Sequence, residues 1–272
     1  MNSAKIQLLR GGGFRINVSI VTIDEPFYVP IMIKNLIDIS PSSIEYDCIV
    51  IVPAKPKKMS QYEYVTYQLG LLGKMEFSKL LFLYCWKKFL NGISFREYSV
   101  AKVAKNRGIP IVLSNSLKEG NLLKILKSFG PDVILSVASS RIFGKDILSI
   151  PKIAALNVHA GMLPKYRGIN PSFWALLNEE KESAVTVHYI NEKIDDGDII
   201  AQNVFSLENM KSLKQVYLKV LEIAPNIVLN SLLDINRGEV KRTKNDSSIS
   251  SYYSFPTKDD GRKFRSLGLS FI

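Results

Sequence analysis

The chain has 272 residues, of which 46% are hydrophobic and 22% charged; this is ordinary for a folded protein and allows one sizeable core in one or two domains. A formal net charge of +11 suits an acidic partner, whether nucleic acid, phosphorylated substrate or anionic membrane, and does not choose among them or against a plain solvated basic surface. Two cysteines, Cys48 and Cys85, with no Cys-x-x-Cys pair, argue against a disulfide framework and a zinc site and point to a reducing cytoplasm.

The N-terminal run MNSAKIQLLRGGGFRINVSIVT lacks the unbroken apolar stretch of a signal peptide, and no window approaches the roughly 20 apolar residues of a membrane span. Gly11 to Gly13 precede the first strand, whereas a dinucleotide loop must follow a strand and open a helix. Ile16 to Thr22 and Tyr46 to Val52 are β-branched apolar runs flanking a helix-like Val29 to Ile39, which predicts a βαβ unit. Pro53 to Tyr98 form an insertion whose segment EFSKLLFLYCWKKFL predicts a helix with a broad apolar face and basic edges. Such a face is expected to be a cap or homodimer surface or, alternatively, a peripheral contact with an anionic membrane. SVAKVAKNRG and LLKILKSFG read as helices stopping at Gly108 and Gly130, followed by strands at Ile109 to Leu113 and Asp132 to Ala138. This alternation predicts a doubly wound α/β domain with its ligand site beyond the carboxyl ends of the strands. Met210 to Asn236 predicts a helix that Pro225 kinks or divides in two. The expected organisation is a main domain over 1–238, carrying the insertion at 53–98, and an extension over 239–272 packed on it.

Chemistry-bearing residues concentrate between Asn157 and Gln202, and both histidines of the chain, His159 and His188, lie there. Asn157 and His159 follow the apolar run IAAL, and in an extended chain residues two apart share a face, so an amide and an imidazole can converge on one carbonyl. An amide donor can stabilise a developing oxyanion, and an imidazole can take the proton that an attacking amine must lose. KIDDGDII then offers three acids, Asp195, Asp196 and Asp198, among which the chemistry alone does not choose, and any of them is also ordinary turn chemistry.

Together these residues resemble the folate-dependent formyltransferases, which share an Asn-x-His run, a Leu-Pro-x-Tyr-x-Gly turn and a later Asp-x-Gly loop. Here those read Asn157-Val158-His159, Leu163-Pro164-Lys165-Tyr166-Arg167-Gly168 and Asp195-Asp196-Gly197. The resemblance covers Pro131 to Gln202 closely and the rest loosely. It implies a Rossmann-like, mostly parallel sheet with a helical insertion and a short C-terminal extension. The implied reaction moves a formyl group from 10-formyltetrahydrofolate to a primary amine without a metal. Asn157 would stabilise the oxyanion, His159 act as acid and base, and Asp195, the acid two residues before the glycine, orient His159 or a water. The pterin ring would be held by Arg141, Ile142 and Phe143 after the fourth strand, by Ala155, and by the later loop at Ile190 and Ile194; the bland alternative is a core-edge loop without ligand. His188 reads as a supporting hydrogen-bond partner, and Arg167 as either an acid contact or a solvent-facing side chain.

The same resemblance bears on the acceptor. TIDEPFYVP after the first strand lacks the Gly-Ser-Asn phosphate loop of glycinamide ribonucleotide formyltransferases. Methionyl-tRNA formyltransferases carry a β-rich C-terminal domain that helps hold tRNA, and here only a short segment follows Glu239, so tRNA is not the expected acceptor. YYSFPTKDDGRKFRSLG resembles tails of formyltransferases associated with surface polysaccharide genes, so the expected partner is a small-molecule amine, a nucleotide-linked amino sugar. Methionyl-tRNA formylation, hydrolysis of formyltetrahydrofolate and a catalytically silent binding module are the alternatives.

Overall fold

The computed structural model describes residues 15–54, 59–114, 119–139 and 141–272, and Gly11 to Gly13 lie outside them. Five apolar segments pair in parallel: β1 (Ile16–Thr22), β2 (Ile44–Ile51), β3 (Ile111–Leu113), β4 (Val133–Val137) and β5 (Ala154–His159). A two-residue strand β6 (Arg167–Gly168) precedes the antiparallel pair β7 (Glu182–Tyr189) and β8 (Ile199–Ser206), and β6 pairs with β9 (Tyr252–Tyr253) near the C-terminus. The main sheet has the order β3-β2-β1-β4-β5-β7-β8. Its direction of winding reverses between β1 and β4, where a doubly wound sheet opens a crevice at its carboxyl end.

The helices are α1 (Val29–Ile39), α2 (Gln61–Leu72), α3 (Lys74–Ile93), α4 (Val100–Asn106), α5 (Glu119–Phe129), α6 (Lys145–Leu148), α7 (Pro171–Leu177), α8 (Leu213–Arg237) and α9 (Lys258–Ser266). Two-residue alternation along the strands divides the core between the two sheet faces. Val133, Leu135 and Val137 of β4 join the larger cluster with α1, α4 and α8, while Ile134 joins Leu122, Leu126 and Ile147 of α5 and α6. On β5, Ala154 and Leu156 face the larger cluster and Ala155 the smaller one, which fixes the side on which Asn157 and His159 project.

Several boundaries differ from the sequence reading. β2 starts at Ile44 and ends at Ile51, and β3 starts after Pro110, whose nitrogen has no hydrogen to give to a ladder. β4 stops before Ala138, which has φ 51. The expected division at Pro225 does not occur: α8 is one helix. Losing a hydrogen bond to proline costs about 3 kcal/mol. Burial of Val216, Ile227, Val228 and Leu232 on both sides of it offsets this several-fold, at about 1.5–3 kcal/mol per side chain. A Ser212–Gln215 capping box starts the helix, and Gly238 with φ 73 stops it. Against the expectation that no segment is span-like, α8 is long and apolar enough to cross a membrane by length and composition. Its apolar residues are spent on α1, β7 and β8.

The insertion contains two helices, α2 and α3, joined at Gly73, where φ is 78, and α3 spans the segment expected to be helical. Gly261 of α9 sits so close to α2 that a Cβ there would lie 2.1 Å from the Leu71 carbonyl oxygen, and Phe271 donates its N–H to Glu76 of α3. Phe77 and Leu80 of α3 pack against the core, and no residue of α3 is fully buried among the described residues.

Candidate active site

β5 carries Asn157 and His159 on one face, and antiparallel β7 sets His188 directly opposite Asn157. The loop after β7 returns tightly: a Cβ on Gly197 would lie 2.0 Å from the Tyr189 carbonyl oxygen, and Asp195 adopts φ 47, a left-handed conformation uncommon outside glycine. This bend points Asp195 back at the strand ends. Its Oδ1 lies 3.3 Å from Asn157 Nδ2 and 3.5 Å from His188 Nε2. Its Oδ2 accepts the Gly168 N–H at 2.8 Å and lies 3.6 Å from His159 Nδ1. Of the three acids in this loop, Asp195 is thus the one brought to Asn157 and His159, while the Asp198 side chain is exposed.

The two imidazoles are held differently. His188, buried, donates Nδ1–H to the Tyr189 carbonyl at 2.8 Å, which leaves Nε2 to accept from Asn157 Nδ2 at 3.1 Å. His159, also buried, donates Nε2–H to the Tyr166 carbonyl at 2.8 Å and turns Nδ1 toward Asp195. Burial holds the His159 pKa below the usual histidine range, because desolvation of an imidazolium outweighs the attraction of Asp195. Burial alone would raise Asp195, but His159, His188 and the Gly168 N–H outweigh it and bring its pKa down to about 2. At neutral pH the carboxylate therefore carries the charge and His159 Nδ1 is open to a proton. A proton arriving there meets Asp195, and both ring nitrogens then face acceptors.

Arg167 is buried rather than solvent-facing, and it ties this loop to the C-terminal segment. Its Nη1 donates to Asp196 Oδ1 at 2.5 Å, and its Nη2 to Asn245 Oδ1 at 2.8 Å. Asn245 in turn donates to the carbonyls of Asp195 at 2.8 Å and Gly197 at 3.0 Å. Tyr166 and Arg167 give their N–H groups to Ser251, each at 2.9 Å. Asn245 and Ser251 were not among the residues singled out from the sequence, and no local signal marks them, since each acts some 50 to 85 positions away. A polar cavity of about 610 Å³ opens on the Asp196 side of the loop between Arg242, Lys244 and Tyr189; Asn157 and His159 do not line it.

The residues expected around a flat ring divide by depth. Phe143 and Ala155 are buried in one cluster with Ile190 packed against it, so they form a floor, whereas Ile142 and Ile194 remain 64% and 39% exposed. Lys145 Nζ lies 3.7 Å from Glu192 Oε1, which shows that the loop after β4 faces the loop after β7. Arg141 is partly buried beside them. An apolar floor, two exposed apolar side chains and nearby backbone groups fit a flat heterocycle.

Gly168 gives the geometry a direct check. It has φ 100, and a Cβ there would meet the Tyr253 carbonyl oxygen at 2.1 Å. Gly168→Ala is expected to lower stability by roughly 2 kcal/mol or more and to displace the N–H that holds Asp195. An unchanged thermal midpoint with unchanged turnover would contradict the described turn.

The formyl transferase family model matches residues 78–232, more than half of the chain. The chain belongs to the formyl transferase family. The methionyl-tRNA formyltransferase of Thermodesulfovibrio yellowstonii is 32% identical over 171 residues, covering 63% of this chain and 55% of that protein. The chain thus matches about half the length of that relative. Among solved structures, glycinamide ribonucleotide transformylase 1 from Symbiobacterium toebii superposes with a TM-score of 0.59 at 14% identity, over 85% of this chain and 92% of that one. WlaRD, a sugar 3N-formyl transferase solved with dTDP and 5-N-formyl-THF, superposes with a TM-score of 0.56 at 18% identity, over 96% and 84%. These likenesses establish the same α/β fold.

Proposed function

We propose that the protein transfers a formyl group from 10-formyltetrahydrofolate to a primary amine, with Asn157, His159 and Asp195 carrying the chemistry. The observation that bears this reading is the convergence of an amide and a neutral imidazole on β5 with a carboxylate from the loop after β7, within 3.6 Å of one another's polar atoms through Asp195. The folate, when bound, supplies the formyl carbon; Ile142 and Ile194 would flank its ring over the Phe143 and Ala155 floor, with Arg141 and Ile190 at the edge. Asn157 holds a donor for the carbonyl oxygen as it gains charge, once that donor leaves His188 or Asp195. His159 Nδ1 takes the proton lost by the amine as the new C–N bond forms, Asp195 stabilises the resulting imidazolium, and that proton passes to N10 of the folate as its bond to the formyl carbon breaks. His188 and Gly168 hold Asn157 and Asp195 in place.

The acceptor we infer is a nucleotide-linked amino sugar. The support is the extent of the match to a sugar 3N-formyl transferase, which covers 96% of this chain. Free thiols at Cys48 and Cys85 accord with work in the cytoplasm. The test is amine-dependent release of tetrahydrofolate across nucleotide-linked amino sugars, initiator Met-tRNA, small amines and water alone. Formylation of an amino sugar is the expected result. The 32% identity to a methionyl-tRNA formyltransferase makes tRNA the competing acceptor. Efficient formyl-methionyl-tRNA formation at physiological salt would replace the sugar reading; release without amine would indicate a hydrolase, and binding without release a silent module.

The pH profile has a defined sign. Because the His159 pKa is lowered, the neutral base persists below the usual 6.5, and kcat at saturating amine should fall on the acid side only below that value. Asp195 opposes the lowering, so in Asp195→Asn the residual activity should lose its acid limb at still lower pH. A limb above 6.5, or one that moves up in the variant, would remove His159 as the base.

A further inference from the structure

We propose that the outer face of α3 docks the protein onto an anionic lipid bilayer. Along this helix Met75, Phe82, Trp86, Phe89 and Ile93 recur at helical spacing on one side, and Phe95 extends the row beyond the helix end. Phe82, Trp86 and Phe89 are 67%, 49% and 56% exposed, and the Trp86 and Phe89 rings stack at 5.9 Å in the open. Such a row is larger than the scattered apolar residues of an ordinary surface. The opposite side of the helix is attached to the body: Lys87 donates to the Pro26 carbonyl at 3.0 Å, and Tyr84 contacts Phe27 at 6.5 Å between ring centroids.

Charge selects the occupant. Lys74, Lys79 and Lys88 are exposed on α3, and Arg96 follows it. Glu76, the one acid of α3, is engaged by the Phe271 N–H. A two-fold dimer would put the same apolar row and the same lysines on both sides of the interface, with the one acid of α3 already engaged. A bilayer rich in acidic headgroups offers an apolar layer for the aromatic side chains and anions for Lys74 and Lys79, while Lys88 Nζ lies 5.7 Å over the Tyr84 ring. Pro26 and Phe27 follow the carboxyl end of β1, so α3 stands at the same end of the sheet as Asn157 and His159. Docking there brings the site toward the membrane surface.

The experiment is co-sedimentation of the full chain with phosphatidylcholine vesicles, with and without phosphatidylglycerol, at low and raised salt, together with Trp fluorescence and light scattering. Expected are binding to the anionic vesicles alone, a blue shift that disappears in Trp86→Phe, and a monomer in solution. Phe82→Ser/Trp86→Ser/Phe89→Ser keeps every charge and removes no buried side chain, so its thermal midpoint should hold while vesicle binding falls more than ten-fold. Lys79→Glu/Lys88→Glu should abolish the preference for acidic lipid. Absence of vesicle binding by the wild type overturns the proposal. So does undiminished binding by the triple-serine variant, which would mean nonspecific attraction of a basic protein. A wild-type dimer that the triple variant breaks would assign the face to a second copy instead.

Discussion

His159→Ala is expected to lower turnover by about two to four powers of ten while a folate titration still shows binding. Its Nδ1 is the open ring nitrogen, since Nε2–H is committed to the Tyr166 carbonyl. Removing a buried imbedded ring also leaves a cavity and an unpaired carbonyl, so lost packing and lost proton transfer must be separated. His159→Gln retains a donor for Tyr166 and much of the volume but has no group that takes a proton at neutral pH. It should fall with the alanine variant. Near wild-type release of tetrahydrofolate from either folded variant would take His159 out of the chemistry.

Asp195→Asn should reduce the rate far more than Asp196→Asn, by at least a further factor of ten. Asp195 accepts from Gly168 on one oxygen and from Asn157 on the other, and it is the charge nearest His159. An asparagine keeps the shape but turns an NH2 toward groups that are themselves donors, and it removes the charge that favours an imidazolium. Asp196 instead faces Arg167, Ser247 and Asn191, none of which touches the proposed reacting atoms. An asparagine there can still accept from Arg167, so its cost should appear mainly in stability, at about 1–3 kcal/mol. Equal turnover of the two variants, each measured well below its melting temperature, would refute the different roles assigned to the neighbouring acids.

The strands, the helices and the facing of Asn157 and His159 were readable because they follow from local rules. Ile16 to Thr22 and Val29 to Ile39 were expected as they stand, since a β-branched run and a helical apolar stripe report their own burial. Gly108 and Gly130, with φ of 69 and 60, end their helices as expected. Pro225 does not divide α8, because its cost is intrinsic while the burial that outweighs it is tertiary. The segment EFSKLLFLYCWKKFL is helical as its pattern implies, and among the described residues no side chain of α3 is fully buried.

By itself, then, the sequence determined the alternation of strand and helix and the shared face of Asn157 and His159, relations carried by residues a few positions apart. Only the tertiary structure decided which of three acids meets them, because that depends on the left-handed bend at Asp195 and the close packing of Gly197 on Tyr189. It also decided that Arg167 is buried against Asp196 and that Asn245 and Ser251 brace the loops, contacts that span 29 to 85 positions. Side-chain pairs at such distances leave no periodic trace in the chain. They come into being when packing of α8 on the sheet returns the C-terminal segment to the ends of β5 and β7.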